Sequence, residues 1–335
     1  MVIAGVSVVI PTLNRPNSLK LCINSYLKLP GLAELIIIND GSTVDLDSVL
    51  YPYLNDPRIK YVRHTVRKGS AYSYTEGVSL SLSCVVLLTQ DCTIASDETL
   101  LRILDYEQKM KSERIACISG RTFEVSNETF ELLSNGGLRI EGNSFRPYVQ
   151  DDVPPKMSWI TGEVTGSFSA FSKSTAAKVL TGFFAVSKQV FLEMGGFDFR
   201  RYIGNHYREE TDFHLRALQS GYTLKYDPRI VGFHCYQRTG GQRSNSNLLL
   251  YEYYVARNHA LFLSRFYGVK IFFMFPVFIM SRGIFRFLNF RLNRFIPYKY
   301  FERYFVRAVT LGASAIRSQG GGVSLISKDK RATVR

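Results

Sequence analysis

Four short apolar runs, each followed by a segment of helical periodicity, most constrain what this chain can become. Val6-Ser7-Val8-Val9-Ile10 is closed by Pro11. Leu35-Ile36-Ile37-Ile38 ends at Asn39-Asp40-Gly41-Ser42, Ile59 to Arg63 is a third run, and Cys84–Leu88 ends at Thr89-Gln90-Asp91. Such runs read as strands buried on both faces. Between them, Leu19, Cys22, Ile23, Tyr26 and Leu27 recur at helical spacing behind Pro16, and Ser70–Leu82 reads as a helix. A helix over about 97–110 and a strand near Ile115–Ser119 continue the alternation. Repeated strand–helix units of this length imply a mostly parallel sheet with helices on both faces. In such sheets ligands bind beyond the carboxyl ends of the strands. The polar clusters Pro11–Arg15, Asn39–Ser42 and Thr89–Asp91 all fall there.

The rest of the chain is less regular. Residues 120–180 read as a long variable loop region with one strand near Met157–Val164. Order returns at Gly182–Val186, with a helix near Ser187–Met194 and another opening at Arg208–Arg216 and closed by Gly221. Strands near Thr223–Tyr226 and Ile230–His234 follow, then a helix over Leu248–Tyr267. Ile271–Met280 is a ten-residue apolar run interrupted by Pro276, and a bilayer span needs about 20 residues.

Charge separates the last quarter from the rest. Residues 1–256 hold 27 Lys+Arg against 26 Asp+Glu, whereas residues 257–335 hold 15 against 2. Arg282, Arg286, Arg291 and Arg294 alternate with Phe285, Phe287, Phe290 and Phe295, a pattern suited to a helix lying in an anionic membrane interface. The competing reading is a packing helix with solvated arginines. Nucleic acid is not an expected partner, because no nucleic-acid motif accompanies the charge. Five cysteines without C-x-x-C spacing argue against a disulfide framework or zinc knuckle. The start, Met1 to Gly5, lacks a basic leader region, so a cytoplasmic setting is expected, peripheral on the inner face of the cell membrane. A dinucleotide oxidoreductase is disfavoured, since the first strand leads into Pro11–Arg15 and not into Gly-x-Gly-x-x-Gly.

Several segments in fixed order resemble family 2 glycosyltransferases of the GT-A fold, including rhamnosyltransferase-like and cell-surface glycan enzymes of bacteria and archaea. They are VSVVIPTLNR at Val6–Arg15, LIIINDGST at Leu35–Thr43, Asp91 at the place of an Asp-x-Asp, and Gly195-Gly196-Phe197-Asp198 ahead of Glu209-Glu210-Thr211-Asp212. Arg257-Asn258, within Tyr253–Leu263, completes the set, which covers roughly residues 5–265. The resemblance implies a catalytic GT-A domain over 1–245 with a Rossmann-like sheet, and the basic, aromatic pattern adds the expectation of a helical membrane-associating extension over 246–315, followed by a flexible tail over 316–335. It also implies inverting transfer from a nucleotide-diphosphate sugar to a hydroxyl on a glycan or lipid-linked acceptor. The donor would contact Pro11, Thr12, Arg15, Asp40, Gly69, Gln90 and Asp91, and Mg²⁺ or Mn²⁺ would bind Asp91 with His234. Glu210 occupies the place of the general base, with Asp212 as the second candidate; helical spacing puts Glu209 and Asp212 on one face and lets Asp212 pair with Arg208 or Arg216. Thr89 and Gln90 stand where the family has carboxylates, and Ser73-Tyr74-Thr75 where it has Ala-Arg-Asn. Those departures leave open a catalytically impaired relative that binds a nucleotide-sugar or a partner protein.

Overall fold

The computed structural model describes residues 3–136, 153–237, 239–241 and 247–292. The expected tail, residues 137–152 of the loop region, and Arg294 with Phe295 lie outside the described residues. Contacts divide the chain into two compact units, Met1–Val277 and Phe278–Arg335.

The first half alternates as its apolar runs require. Strand β1 (Val6–Thr12) leads to α1 (Pro16–Tyr26), β2 (Leu32–Asn39), the short α2 (Asp47–Leu50), β3 (Ile59–Arg63), α3 (Ser70–Leu80) and β4 (Val85–Leu88). These four strands are parallel, in the order β3-β2-β1-β4. Successive residues of β1 face opposite sides of the sheet. Val6, Val8 and Ile10 pack with Leu19, Cys22, Ile23 and Tyr26 of α1, while Val9 packs with Ala71, Tyr74 and Val78 of α3. The sheet is therefore buried on both faces, as continuous apolar strands demand.

Beyond β4 come β5 (Thr93–Ala95), α4 (Thr99–Leu104), α5 (Glu107–Ser112), β6 (Ile115–Val125) and α6 (Asn127–Ser134). The helix expected over 97–110 is thus two short helices, and β6 extends six residues past Ser119. α6 is a helix inside the expected loop region, capped by Ser126 Oγ accepting from Thr129 N at 3.2 Å. The expected strand at 157–164 is instead a hairpin of β7 (Lys156–Met157) and β8 (Val164–Thr165). β9 (Thr175–Ala177), β10 (Phe184–Ser187), α7 (Lys188–Glu193), α8 (Glu209–Gln219) and β11 (Thr223–Cys235) complete the layer. The two strands expected over 223–234 are one strand whose pairing with β6 shifts register between Tyr226 and Val231. β10 runs antiparallel between β4 and β6, so the sheet is mixed and not uniformly parallel.

α9 (Leu248–Tyr267) belongs to the first unit, where Phe262 and Leu263 join Tyr202 and Met274 in a small core of their own. α10 (Ile271–Leu292) continues through Pro276 for 22 residues. The stretch Leu248–Arg291 contains a window long and apolar enough to cross a membrane, by length and composition alone. Phe272 and Phe290, 83 % and 84 % exposed, stand out from α10 near its two ends.

Candidate active site

The carboxyl ends of β1, β2 and β4 lie side by side, and the chain leaves them as Thr12–Arg15, Asp40–Ser42 and Thr89–Asp91. Together with the start of α8 they enclose a cleft of about 200 Å³. Of the residues expected at the site, Pro11, Thr12, Arg15, Asp40, Gln90, Asp91, Glu210 and His234 line it. So do Arg67, Ser70, Tyr74 and Glu209, together with Gly241 and Tyr251, which the sequence reading did not single out. A larger groove near Ser79–Val85 and Ser187–Leu192 lies at the opposite, amino end of β4. The cleft at the carboxyl ends is the one the sheet topology assigns to a ligand.

Asp40 is fixed by the turn that follows β3. Its Oδ1 accepts from Lys68 N at 2.7 Å, its Oδ2 from Gly69 N at 2.9 Å, and His64 Nδ1 lies 3.1 Å from Oδ1. His64 Nε2 is in turn 2.6 Å from Glu76 Oε2. Gly69 itself is not part of the cleft wall. Its φ is +97°, and a Cβ there would sit 2.1 Å from Nε2 of His206, whose ring covers it. Glycine is needed here for that close approach, and the residue serves the site by orienting Asp40.

Asp91 is buried, and both its oxygens are engaged. Arg15 Nη1 donates to Oδ1 at 2.8 Å and Thr12 Oγ1 to Oδ2 at 2.9 Å. Burial raises the Asp91 pKa, and the Arg15 charge pulls against that rise. The same guanidinium donates from Nε to Thr239 O and from Nη2 to Gly240 O, pinning the segment after β11 to the end of β1. His234 Nδ1 is 2.9 Å from Thr93 Oγ1.

These residues are a poor match for the expected Mg²⁺ or Mn²⁺. A guanidinium already stands on the cation side of Asp91, Thr89 and Gln90 bring no charge, and among the described residues no three His, Cys, Asp or Glu side chains converge. Divalent ions with carboxylate and imidazole ligands need more than this set offers.

α8 supplies the acidic wall. Its N-cap, Arg208, is left-handed with φ +83°, and His206 two residues earlier has φ +54°. Each such residue costs about 1–3 kcal/mol and persists only where its surroundings over-determine it. Arg208 is so held. Its Nε donates to His259 Nδ1 at 3.0 Å, its Nη2 donates to Gly162 O at 2.9 Å and lies 3.2 Å from Glu163 Oε2, and its guanidinium lies over the Tyr207 and Phe262 rings. The strained turn points Glu209 and Glu210 into the cleft. The Glu210 carboxylate packs on Gly182, where a Cβ would sit 2.7 Å from Oε1, and it takes no hydrogen bond among the described residues. Burial raises its pKa to about 7.

Asp212 faces the other way and does not line the cleft. It is fully buried, paired to Arg216 Nε at 2.7 Å and Arg265 Nη1 at 3.0 Å, and it accepts from Tyr202 OH at 2.9 Å. The pairing with Arg216 is the alternative its i,i+4 spacing allowed. With the helix starting at Glu209, the acidic partner of Glu210 in the cleft is Glu209.

A curled mixed sheet with this cleft at its carboxyl edge is the GT-A fold. Residues 7–177 match the model of glycosyl transferase family 2, just over half of the chain, and the chain belongs to that family. The matched span includes Asp40 and Asp91 but ends before Glu209 and Glu210. Over 120 residues the chain is 27 % identical to a poly-beta-1,6-N-acetyl-D-glucosamine synthase of Staphylococcus epidermidis, covering 35 % of this chain and only 28 % of that protein. The fold is similar to that of GalNAc-T7, solved with UDP, GalNAc and Mn²⁺ (TM-score 0.54, 18 % identity, 78 % of this chain and 50 % of that one). It is also similar to S. aureus TarS 1–349 with UDP-GlcNAc (TM-score 0.52, 14 % identity, 82 % and 71 %).

Proposed function

We propose that this chain is an inverting glycosyltransferase that moves a sugar from a nucleoside-diphosphate sugar to an acceptor hydroxyl. The observation that carries the reading is Glu210, an unbonded carboxylate in the cleft whose pKa of about 7 suits a general base near neutral pH. In this mechanism Glu210 takes the proton of the acceptor hydroxyl. The freed oxygen attacks the anomeric carbon from the face opposite the leaving group. The bond from that carbon to the phosphate oxygen breaks, its electron pair stays on the diphosphate, and configuration inverts. Arg15 and Arg67 line the same cleft and supply positive charge for the leaving group. In this reading Asp40 and Thr12, which line the cleft, contact the base and ribose.

Nucleotides bound by the similar solved structures make uridine the first class to try. In a thermal-shift screen of UDP-, GDP- and dTDP-sugars, one class raises Tm, and the rise persists in EDTA because Arg15 already serves as the cation beside Asp91. A rise that appears only with Mn²⁺ would show that an ion displaces Arg15 from Asp91. No rise with any nucleotide, in folded protein, would remove the donor reading.

The acceptor in this reading is a glycan or a lipid-linked sugar met at the cytoplasmic face of the membrane. Exposed Phe272, Phe273, Phe287 and Phe290, interleaved with Arg282, Arg286 and Arg291 on α10, support it. The protein then sediments with anionic vesicles at low salt and is released at high salt. Sedimentation that resists salt and alkaline carbonate would instead mean that α10 spans the bilayer.

A further inference from the structure

The mechanism above leaves one cleft residue without a task. Glu209 is 4 % exposed and lines the same cleft as Glu210. Its Oε1 accepts from Ser70 Oγ at 3.2 Å, but its buried Oε2 has no hydrogen-bond partner among the described residues. The nearest ring nitrogen, His206 Nδ1, is 3.5 Å away and is already engaged by Tyr202 O at 2.7 Å. Arg208, its chain neighbour, turns its guanidinium toward Gly162, Glu163 and His259. A buried carboxylate with one oxygen unpaired and a second carboxylate next to it is a costly arrangement. It becomes ordinary if Glu209 holds a proton on Oε2, and among the described residues nothing stands within hydrogen-bond reach to accept that proton.

We propose that Glu209 acts as a neutral carboxylic acid whose O–H donates a hydrogen bond to an oxygen of the bound nucleotide-sugar, on either the sugar or the phosphate. This rests on the donor reading above. Two adjacent carboxyls thereby take opposite tasks, one holding its proton as a donor and the other losing it to serve as base. Neutrality also spares an anionic diphosphate a further negative charge beside Asp40, Asp91 and Glu210 in the cleft. The direction of the pKa is consistent, since burial first and the Glu210 charge second raise it well above the ordinary value. The other titratable groups near Glu209 are Tyr74 and Arg67, which line the cleft, and His206, held neutral by burial.

The test compares Glu209→Gln, which keeps a neutral donor of similar shape, with Glu209→Leu, which removes it. Binding of UDP and of UDP-GlcNAc is measured by calorimetry for each variant, with circular dichroism as the check on folding. Glu209→Gln is expected to weaken UDP-GlcNAc binding by about threefold and Glu209→Leu by about 10- to 100-fold. Equal losses for UDP and UDP-GlcNAc place the acceptor on phosphate; a loss confined to UDP-GlcNAc places it on the sugar. Independently, the infrared difference between wild type and Glu209→Gln at neutral pH shows the carbonyl stretch of a protonated carboxyl. Wild type that binds UDP-GlcNAc but lacks that band, or a Gln variant as weak as the Leu variant, overturns the assignment of Glu209 alone. Failure of wild type to bind UDP, UDP-GlcNAc or any of the GDP- and dTDP-sugars overturns the donor reading instead, and the infrared band still reports the state of Glu209.

Discussion

Glu210→Gln lowers kcat by about 10²–10⁴-fold while the affinity for a nucleotide-sugar stays close to that of wild type. The amide matches the carboxylate in size, so packing on Gly182 is kept and only the proton acceptor is lost. The pH dependence gives a second readout. A base works only when deprotonated, so kcat/KM of the wild type falls as pH drops through about 7, the raised value of Glu210. Stability changes in the opposite sense. The folded pKa of about 7 lies above the ordinary 4.5, so folding binds the Glu210 proton more tightly and the wild type loses stability as pH rises from 4.5 to 7. Glu210→Gln carries no such proton and is therefore more stable than wild type at pH 8, with the difference vanishing near pH 4. Denaturant titrations at both pH values check this, and turnover equal to wild type would remove Glu210 from the mechanism.

Arg208→Ala destabilises the fold by about 3–5 kcal/mol, the range expected when one member of a buried ion pair is removed. Glu163, buried at 7 % exposure, is left without its cation, and the carbonyl of Gly162 and ring of His259 lose their donor. Alanine also gains nothing from the left-handed backbone at 208. Because Arg208 sets the first turn of α8, kcat falls too, in protein that remains folded at low temperature. Urea unfolding of the two proteins measures the first effect. A loss below about 1 kcal/mol would mean that the buried pair is offset by relaxation of the turn.

Much of this site was legible because the half formed by the strand ends is local. Thr12, Asp40 and Asp91 each terminate an apolar run, and the rule that parallel strands gather their carboxyl ends brings them together without any knowledge of side chains. The acidic half was not legible in the same way. Which of Glu209, Glu210 and Asp212 faces the cleft depends on where α8 begins, and that is fixed by a left-handed Arg208 held through His259, 51 residues later. Helical spacing alone grouped Glu209 with Asp212, whereas the fold gives Asp212 to Arg216 and Arg265. The antiparallel placement of β10 was likewise invisible, because strand order is a property of long-range pairing and β10 reads locally like any buried strand. Ser126 ahead of α6 was a readable cap signal in a stretch whose scattered Gly, Pro and Ser suggested only loop.

The clasp of Arg15 on the carbonyls of Thr239 and Gly240 joins positions 224 and 225 residues apart. It imposes an order on the birth of the protein. A growing chain can assemble β1 to β4, with Asp40 already set by its turn, long before residue 239 has been synthesised. At about 5–20 residues per second, the interval is of the order of ten seconds or more. Throughout it, Arg15 lacks the two carbonyls and has Asp91, itself held by Thr12, the wall made by Gly241 and Tyr251 does not exist, and for most of it the glutamates of α8 have not been made. The cleft is thus open on one side until the chain is nearly through its first compact unit, and its two walls are completed close together in time.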